Sequence, residues 1–163
     1  MTEQAIDVPS NDACAFCDYL RGSRPYVFLW KEPEVAVAVT REQRGISHLL
    51  VLPTQHTETL LDLRESPTEP LMIALRDAAR TIDAADERPG ISVWQNNGVP
   101  AGQAIAHLHF HVAGTLAGGG TEFGEVSEIS LDAAAQIADR LSAHVPQNAS
   151  SSRSIWGRER GSA

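Results

Sequence analysis

The stretch His107-Leu108-His109-Phe110-His111-Val112-Ala113 decides how this chain is read. Read as a strand, its alternation sends His107, His109 and His111 off one face, about 6.6 to 6.8 Å apart at each step of two residues. Leu108, Phe110 and Val112 leave by the other face and anchor the row on a core. Three titratable rings side by side add little to a sheet, because any two that protonate repel one another, so the pattern points to chemistry. Two kinds fit. Imidazole is the commonest metal ligand, and the row could hold a catalytic zinc with an open position for water. Alternatively His109, in the middle, is a nucleophile toward phosphorus, with its neighbours fixing its tautomer.

The residues just upstream favour phosphorus. Gly98-Val99-Pro100-Ala101-Gly102-Gln103-Ala104 is a compact turn with two glycines, whose N–H groups can approach an anion closely. Further blocks follow in register: Cys14-Ala15-Phe16-Cys17, His48-Leu49-Leu50-Val51-Leu52-Pro53, His56, Asn96-Asn97-Gly98 and Ala101-Gly102-Gln103. With these blocks the row resembles the histidine triad (HIT) family of nucleotide hydrolases and transferases, whose signature is His-φ-His-φ-His-φ-φ with φ apolar. All seven positions, 107 to 113, comply.

The resemblance implies an α+β, HIT-like fold: an antiparallel five-stranded meander with one long helix and a C-terminal helix, assembled as a homodimer. It also implies a mechanism. His109 attacks the α-phosphate of a nucleotide ester, anhydride or phosphoramidate, and water or another acceptor resolves the nucleotidyl-histidine. His111 and the Gln103 amide, joined by loop N–H groups, stabilise the phosphate oxygens, and a main-chain carbonyl of the triad strand holds the ring of His109. His107 completes the catalytic set. Asn96, Gly102, Gln103, His48, Thr40 and His111 are the nucleotide and phosphate contacts. Two positions depart from the family pattern. Thr40 stands where many members carry an Asp that holds the ribose hydroxyls, and Ala104 where many carry Ser or Thr. The reading thus specifies the reaction class more firmly than the substrate. Two alternatives are a nucleotide-binding scaffold with little turnover and a zinc-dependent hydrolase using the row as ligands.

Cys14 and Cys17 are the two cysteines. A Cys-x-x-Cys pair reads as a redox couple, half of a zinc site, free thiols or a disulfide, and the strand-to-helix context of a thioredoxin-like pair is missing around it. Met1 to Pro9 carry Glu3 and Asp7 and lack an apolar segment, so a reducing, cytoplasmic setting is expected. The resemblance implies a structural zinc on Cys14, Cys17, His56 and His107, a closed tetrahedral Cys₂His₂ shell. His48 is the rival fourth ligand.

Bulk properties bound the rest. At 163 residues one domain is expected, read as 14–145 between an N-terminal extension (1–13) and a polar, mobile tail (146–163). Lys and Arg number 13 against 21 Asp and Glu, a net charge of −8, which argues against nucleic-acid or membrane partners but not against a small phosphate in a local nest. Strands are expected at 26–30, 34–39, 47–53, 90–96 and 106–113. A short helix is expected within 54–63, a long one from Ser66-Pro67 with Leu71, Ala74, Leu75, Ala78 and Ile82 inward, and a last one at 130–144. His144, near the end of the last helix, reads as a structural or solvent-exposed residue. Trp156 is an indole that a polar tail would leave wet, and so a candidate for packing on the domain or a partner.

Overall fold

Alternating apolar residues build the sheet, and its order decides where the histidines lie. The computed structural model describes residues 5–10, 13–147 and 152–158. Six strands pair antiparallel throughout: β1 (Phe28–Lys31), β2 (Val35–Val39), β3 (Ile46–Pro53), β4 (Ile91–Gln95), β5 (Phe110–Gly114) and β6 (Ser154–Ile155). The helices are α1 (Ala15–Arg21), α2 (Thr68–Ala85) and α3 (Leu131–Ser142). The α+β class with an antiparallel sheet stands, but the meander does not. The order β4-β5-β3-β2-β1-β6 places β5 between β3 and β4. A central position is the one that lets Val112 and Ala113 lose all contact with water while both ladders of the strand are satisfied.

Every residue of β2 is buried, so the sheet is covered on both faces there. Val35, Val37 and Val39 join Leu49, Val51 and Val112 under α2 and α3, which contribute Leu71, Ala74, Leu75, Ala78 and Ile82, and Ala134, Ala138 and Leu141. On the opposite face Ala38, Leu50 and Leu52 pack with Phe16 of α1, and Tyr19, Tyr26, Phe28 and Ile105 complete the cluster. Pro70 sits in the first turn of α2, where its missing N–H costs nothing. Ser130 caps α3 by accepting from the N–H of Ala133.

Two further expectations are corrected, and one irregularity comes from the structure alone. Residues 107–109 lie outside the β5 ladder, which starts at Phe110. The N–H of Leu108 is instead taken by Thr57, so the histidine row is broken after its first ring. Strand β3 carries an irregularity between Ile46 and Leu49, with Ser47 at φ 53°. Lastly, residues 152–158 are not a loose tail. Ser154 and Ile155 pair with β1, and Arg153 is 3% exposed between Glu32 (2.5 Å) and Asp77 (2.7 Å). Two acids buried this deeply need a cation, and the tail supplies it. Trp156 donates to Asp139 on α3, which realises its packing on the domain.

Candidate active site

Four imidazole tautomers follow from what each ring touches. His109 Nδ1 lies 2.7 Å from the carbonyl of His107. A carbonyl only accepts, so Nδ1 carries the proton and Nε2 keeps a lone pair. His107 Nε2 lies 2.9 Å from the carbonyl of Pro53, so its lone pair is on Nδ1. His48 Nδ1 accepts from the N–H of Arg44 at 3.2 Å. Its Nε2–H therefore donates to His111 Nδ1 at 3.0 Å, which leaves His111 with an N–H on Nε2. One ring is thus prepared as a nucleophile, one as a hydrogen-bond donor and one as a metal ligand.

Burial supports the neutral forms. Desolvation lowers His48 to about 4. It lowers His111 to about 2, with His109 and His48 adding to the effect, and it also moves His109 down against the pull of the His107 carbonyl. Trp94, directly opposite His111 in the ladder, stacks on it with centroids 4.7 Å apart and planes within 3°. Phe16 holds His109 edge-on at 5.0 Å.

His109 and His111 open into a cleft of about 800 Å³ that runs across the sheet face. Tyr19, Tyr26, Thr40 and Arg41 line it over β1 and β2, while Trp94, Asn96, Gly102 and Ala104 line it beside β4 and β5, and Phe123, 91% exposed, stands at its rim. Asn96, Gly102 and Thr40 thus line the same cleft as His109 and His111. The Asn96 amide gives one hydrogen to Ala101 (2.6 Å), and an amide has a second.

Gln103 is placed differently from expectation. Its amide donates to the carbonyls of Glu58 (2.8 Å) and Ile105 (3.0 Å), and its oxygen accepts from Gly98 (2.7 Å). Both hydrogens are committed, so the side chain braces the loop and has none for a phosphate. The loop N–H groups follow suit: Val99 donates to Asp7, Ala101 to Gly98, Gly102 to Val99 and Gln103 to Gly98. With Asp7 taking the Val99 N–H, these four donors of the turn are satisfied by backbone carbonyls. Gly98 (φ 89°) is required there, since a β carbon would lie 2.5 Å from Ile6.

The other cluster lies behind the triad. Cys14, Cys17, His56 and His107 bring one ligand atom each to within 4.8 Å of one another. Cys14 Sγ is 3.3 Å and Cys17 Sγ 3.7 Å from His107 Nδ1, and Cys17 Sγ is 3.5 Å from His56 Nδ1. A tetrahedral zinc with bonds of about 2.3 Å to sulfur and about 2.0–2.1 Å to nitrogen has S···N edges of about 3.6 Å, so the donor set fits. Burial, and then Cys14, push the Cys17 thiol up to about 11, an effect that a divalent cation reverses. His48, the rival ligand, is committed to His111.

Against this geometry, the family model of the HIT domain matches residues 21–117. The chain belongs to the HIT family. An uncharacterised HIT-like protein of Methanocaldococcus jannaschii is 29% identical over 123 residues, 73% of this chain and 93% of its own. An adenylylsulfatase of Arabidopsis thaliana is 26% identical over 99 residues, 61% of this chain and 50% of its own. An adenosine 5′-monophosphoramidase of Candida albicans is 23% identical over 107 residues, 63% of this chain and 70% of its own. A HIT-like protein of Bartonella henselae involved in cell-cycle regulation superposes with a TM-score of 0.75 at 22% identity, over 83% of this chain and 98% of its own. A zinc-bound histidine triad protein of Mycobacterium smegmatis gives 0.70 at 21%, over 82% and 93%. HIT proteins thus include nucleotide hydrolases, and the fold of this one is theirs.

Sequence reading missed several residues of this HIT site. Trp94 backs His111, Arg44 sets the His48 tautomer through its N–H, and Gln43 accepts from the N–H of His48 at 2.9 Å. Trp94 had a legible signal, since a strand ending one residue before Asn96 places it beside the triad. The other two act through backbone geometry that no spacing announces.

Proposed function

We propose that this HIT protein cleaves a nucleotide phosphoramidate, anhydride or ester at the α-phosphate through a nucleotidyl-histidine. The observation that carries this is the His109 tautomer: Nδ1–H is held by the protein's own backbone, which leaves the lone pair on Nε2 of a ring that lines the cleft. His109 Nε2 forms a bond to phosphorus. The bond from phosphorus to the leaving group breaks, and the leaving group departs with the electron pair and takes a proton. A water then displaces His109, giving the nucleoside monophosphate and restoring the ring. His111 Nε2–H and the free Asn96 N–H donate to the phosphate oxygens. The ribonucleotide lies along Thr40 and Tyr26. Relatives named as an adenosine monophosphoramidase and an adenylylsulfatase support the substrate class.

Zinc, held by Cys14, Cys17, His56 and His107, would supply a structural cross-link and leave the chemistry to the two other rings. The reading of the row as one catalytic metal site loses support, since His107 faces the thiols while His109 and His111 face the cleft.

Rapid-quench reaction with α-labelled adenosine phosphoramidate tests the proposal. An acid-labile label should appear on the protein and vanish in His109→Asn, with turnover lower by a few orders of magnitude and nucleotide binding little changed. A variant that keeps more than about a tenth of the rate overturns it.

A further inference from the structure

Among the described residues Ser47 alone combines a side chain with a positive φ, 53°. That region crowds a β carbon against the following carbonyl and persists where the surroundings over-determine it. Here they do so through two sets of hydrogen bonds. On the helix side Ser47 Oγ donates to Asp86 Oδ2 at 2.6 Å and accepts from Arg140 Nη2 at 2.8 Å, while Arg140 Nη1 binds Asp86 Oδ1. The three side chains close a ring that joins β3, the end of α2 and α3. The backbone beside it is gripped as well: Gln43 accepts from the N–H of His48 and donates to the carbonyls of His48 (3.0 Å) and Thr40 (2.6 Å).

What this double grip holds is the irregularity of β3 between Ile46 and Leu49. Bulges re-aim the side chains beside them, and a one-residue slip moves a side chain to the other face. The residue beside this one is His48, 1% exposed, whose Nε2 reaches His111. We infer that the Ser47–Asp86–Arg140 ring is a positioning device for catalysis: it fixes the bulge that aims His48 Nε2–H at His111 and so sets which hydrogen His111 offers the phosphate. Ser47, Asp86 and Arg140 touch no substrate and act through His48. The inference rests on the proposed function of His111 as a phosphate donor.

Two substitutions separate hydroxyl from backbone. Ser47→Ala still strains a β carbon at φ 53° and removes the ring that holds it there, whereas Ser47→Gly removes the ring but takes φ 53° without strain. Ser47→Ala should lower kcat on adenosine phosphoramidate by about ten- to a hundredfold per folded molecule with KM nearly unchanged. Ser47→Gly should recover to within about threefold of the wild type. Imidazole ¹⁵N shifts of the substrate-free protein should show fixed His48 and His111 tautomers in the wild type and in Ser47→Gly, and averaged ones in Ser47→Ala. Wild-type kcat in Ser47→Ala, or equal impairment of both variants, overturns the inference. If Ser47→Ala does not fold, Arg140→Gln, which spares the Ser47–Asp86 bond, is read by the same criteria. A wild-type protein without turnover overturns the proposed function instead, and the clamp then stands or falls on the imidazole shifts.

Discussion

Thr40, which on the proposed function would lie beside the ribose, lines the cleft with a hydroxyl that already accepts from the N–H of Glu42 at 3.3 Å. A hydroxyl so engaged leaves little to lose when a ribose hydroxyl is removed, whereas a carboxylate left unpaired would penalise the deoxy substrate. The wild type should therefore discriminate weakly between ribose and 2′-deoxyribose. Thr40→Asp should gain about 1 to 2 kcal/mol of preference for ribose, the added worth of a hydrogen bond to a charged group. Paired kcat/KM values decide it, and a wild type that already rejects the deoxy substrate about a hundredfold refutes it. The buried pair His48 and His111 predicts a pH effect on stability. In the unfolded chain each takes up a proton near pH 6.5, but in the native protein His48 stays neutral to about 4 and His111 to about 2. Below pH 6.5 the unfolded state thus binds more protons, so both contributions are complete above that pH. Stability falls with pH by up to about 1.4 kcal/mol per unit for each ring, and the part from His48 levels off below about 4. Urea midpoints at pH 7 and 5 should show this fall, and His48→Asn should lessen it. An equal fall in both proteins removes the explanation.

At the scale of elements, β6 is held more by Arg153 than by its two-residue ladder. Arg153 meets Glu32 and Asp77, stacks over Trp30 at 4.9 Å and donates to the carbonyl of Pro146. Removing it leaves Asp77, 1% exposed, and Glu32 in the interior with their charge uncompensated. Arg153→Ala should cost about 3 to 5 kcal/mol in urea unfolding, and a loss below about 1 kcal/mol would show the pair to be solvated. This element was hidden in the sequence because its signal is one arginine whose partners lie about 76 and 121 residues away. Local signals are legible: the Val35–Val39 strand and the apolar stripe of α2 both arise from neighbours within a few residues. The insertion of β5 between β3 and β4 was not legible, because strand order depends on which faces must be buried and not on spacing. The site divides in the same way. The histidine row and the Cys-x-x-Cys pair are legible as side-chain types at fixed intervals, whereas the carbonyl that holds His109 and the grouping of His56 and His107 with the cysteines come from the family resemblance. The Ser47 bulge, the Arg44 N–H and the inward turn of the Gln103 amide are not legible, since each is decided by where backbone groups find partners.

Over the whole molecule, the Cys₂His₂ cluster joins what the sheet alone does not. Helix α1 has seven residues and one buried side chain, Phe16, and a helix so short does not persist on its own. Yet it brings Phe16 and Tyr19 to the cleft. Cys14 at its N-cap and Cys17 in its first turn face His56 and His107, which the chain supplies from the segment after β3 and the approach to β5. A zinc there would close three distant segments at one point, and its binding free energy would be folding free energy. His107 then links the two clusters, because its ring faces the thiols while its carbonyl holds the tautomer of His109. The protein should accordingly contain about one zinc per chain. Chelation or Cys17→Ser should lower the melting temperature while sparing most of the rate per folded molecule, the order expected of a structural ion. Metal analysis, thermal melts and turnover on the same samples check this together. Metal-free protein of equal stability and activity would refute the zinc site, and loss of turnover with an unchanged melting temperature would return the metal to the chemistry.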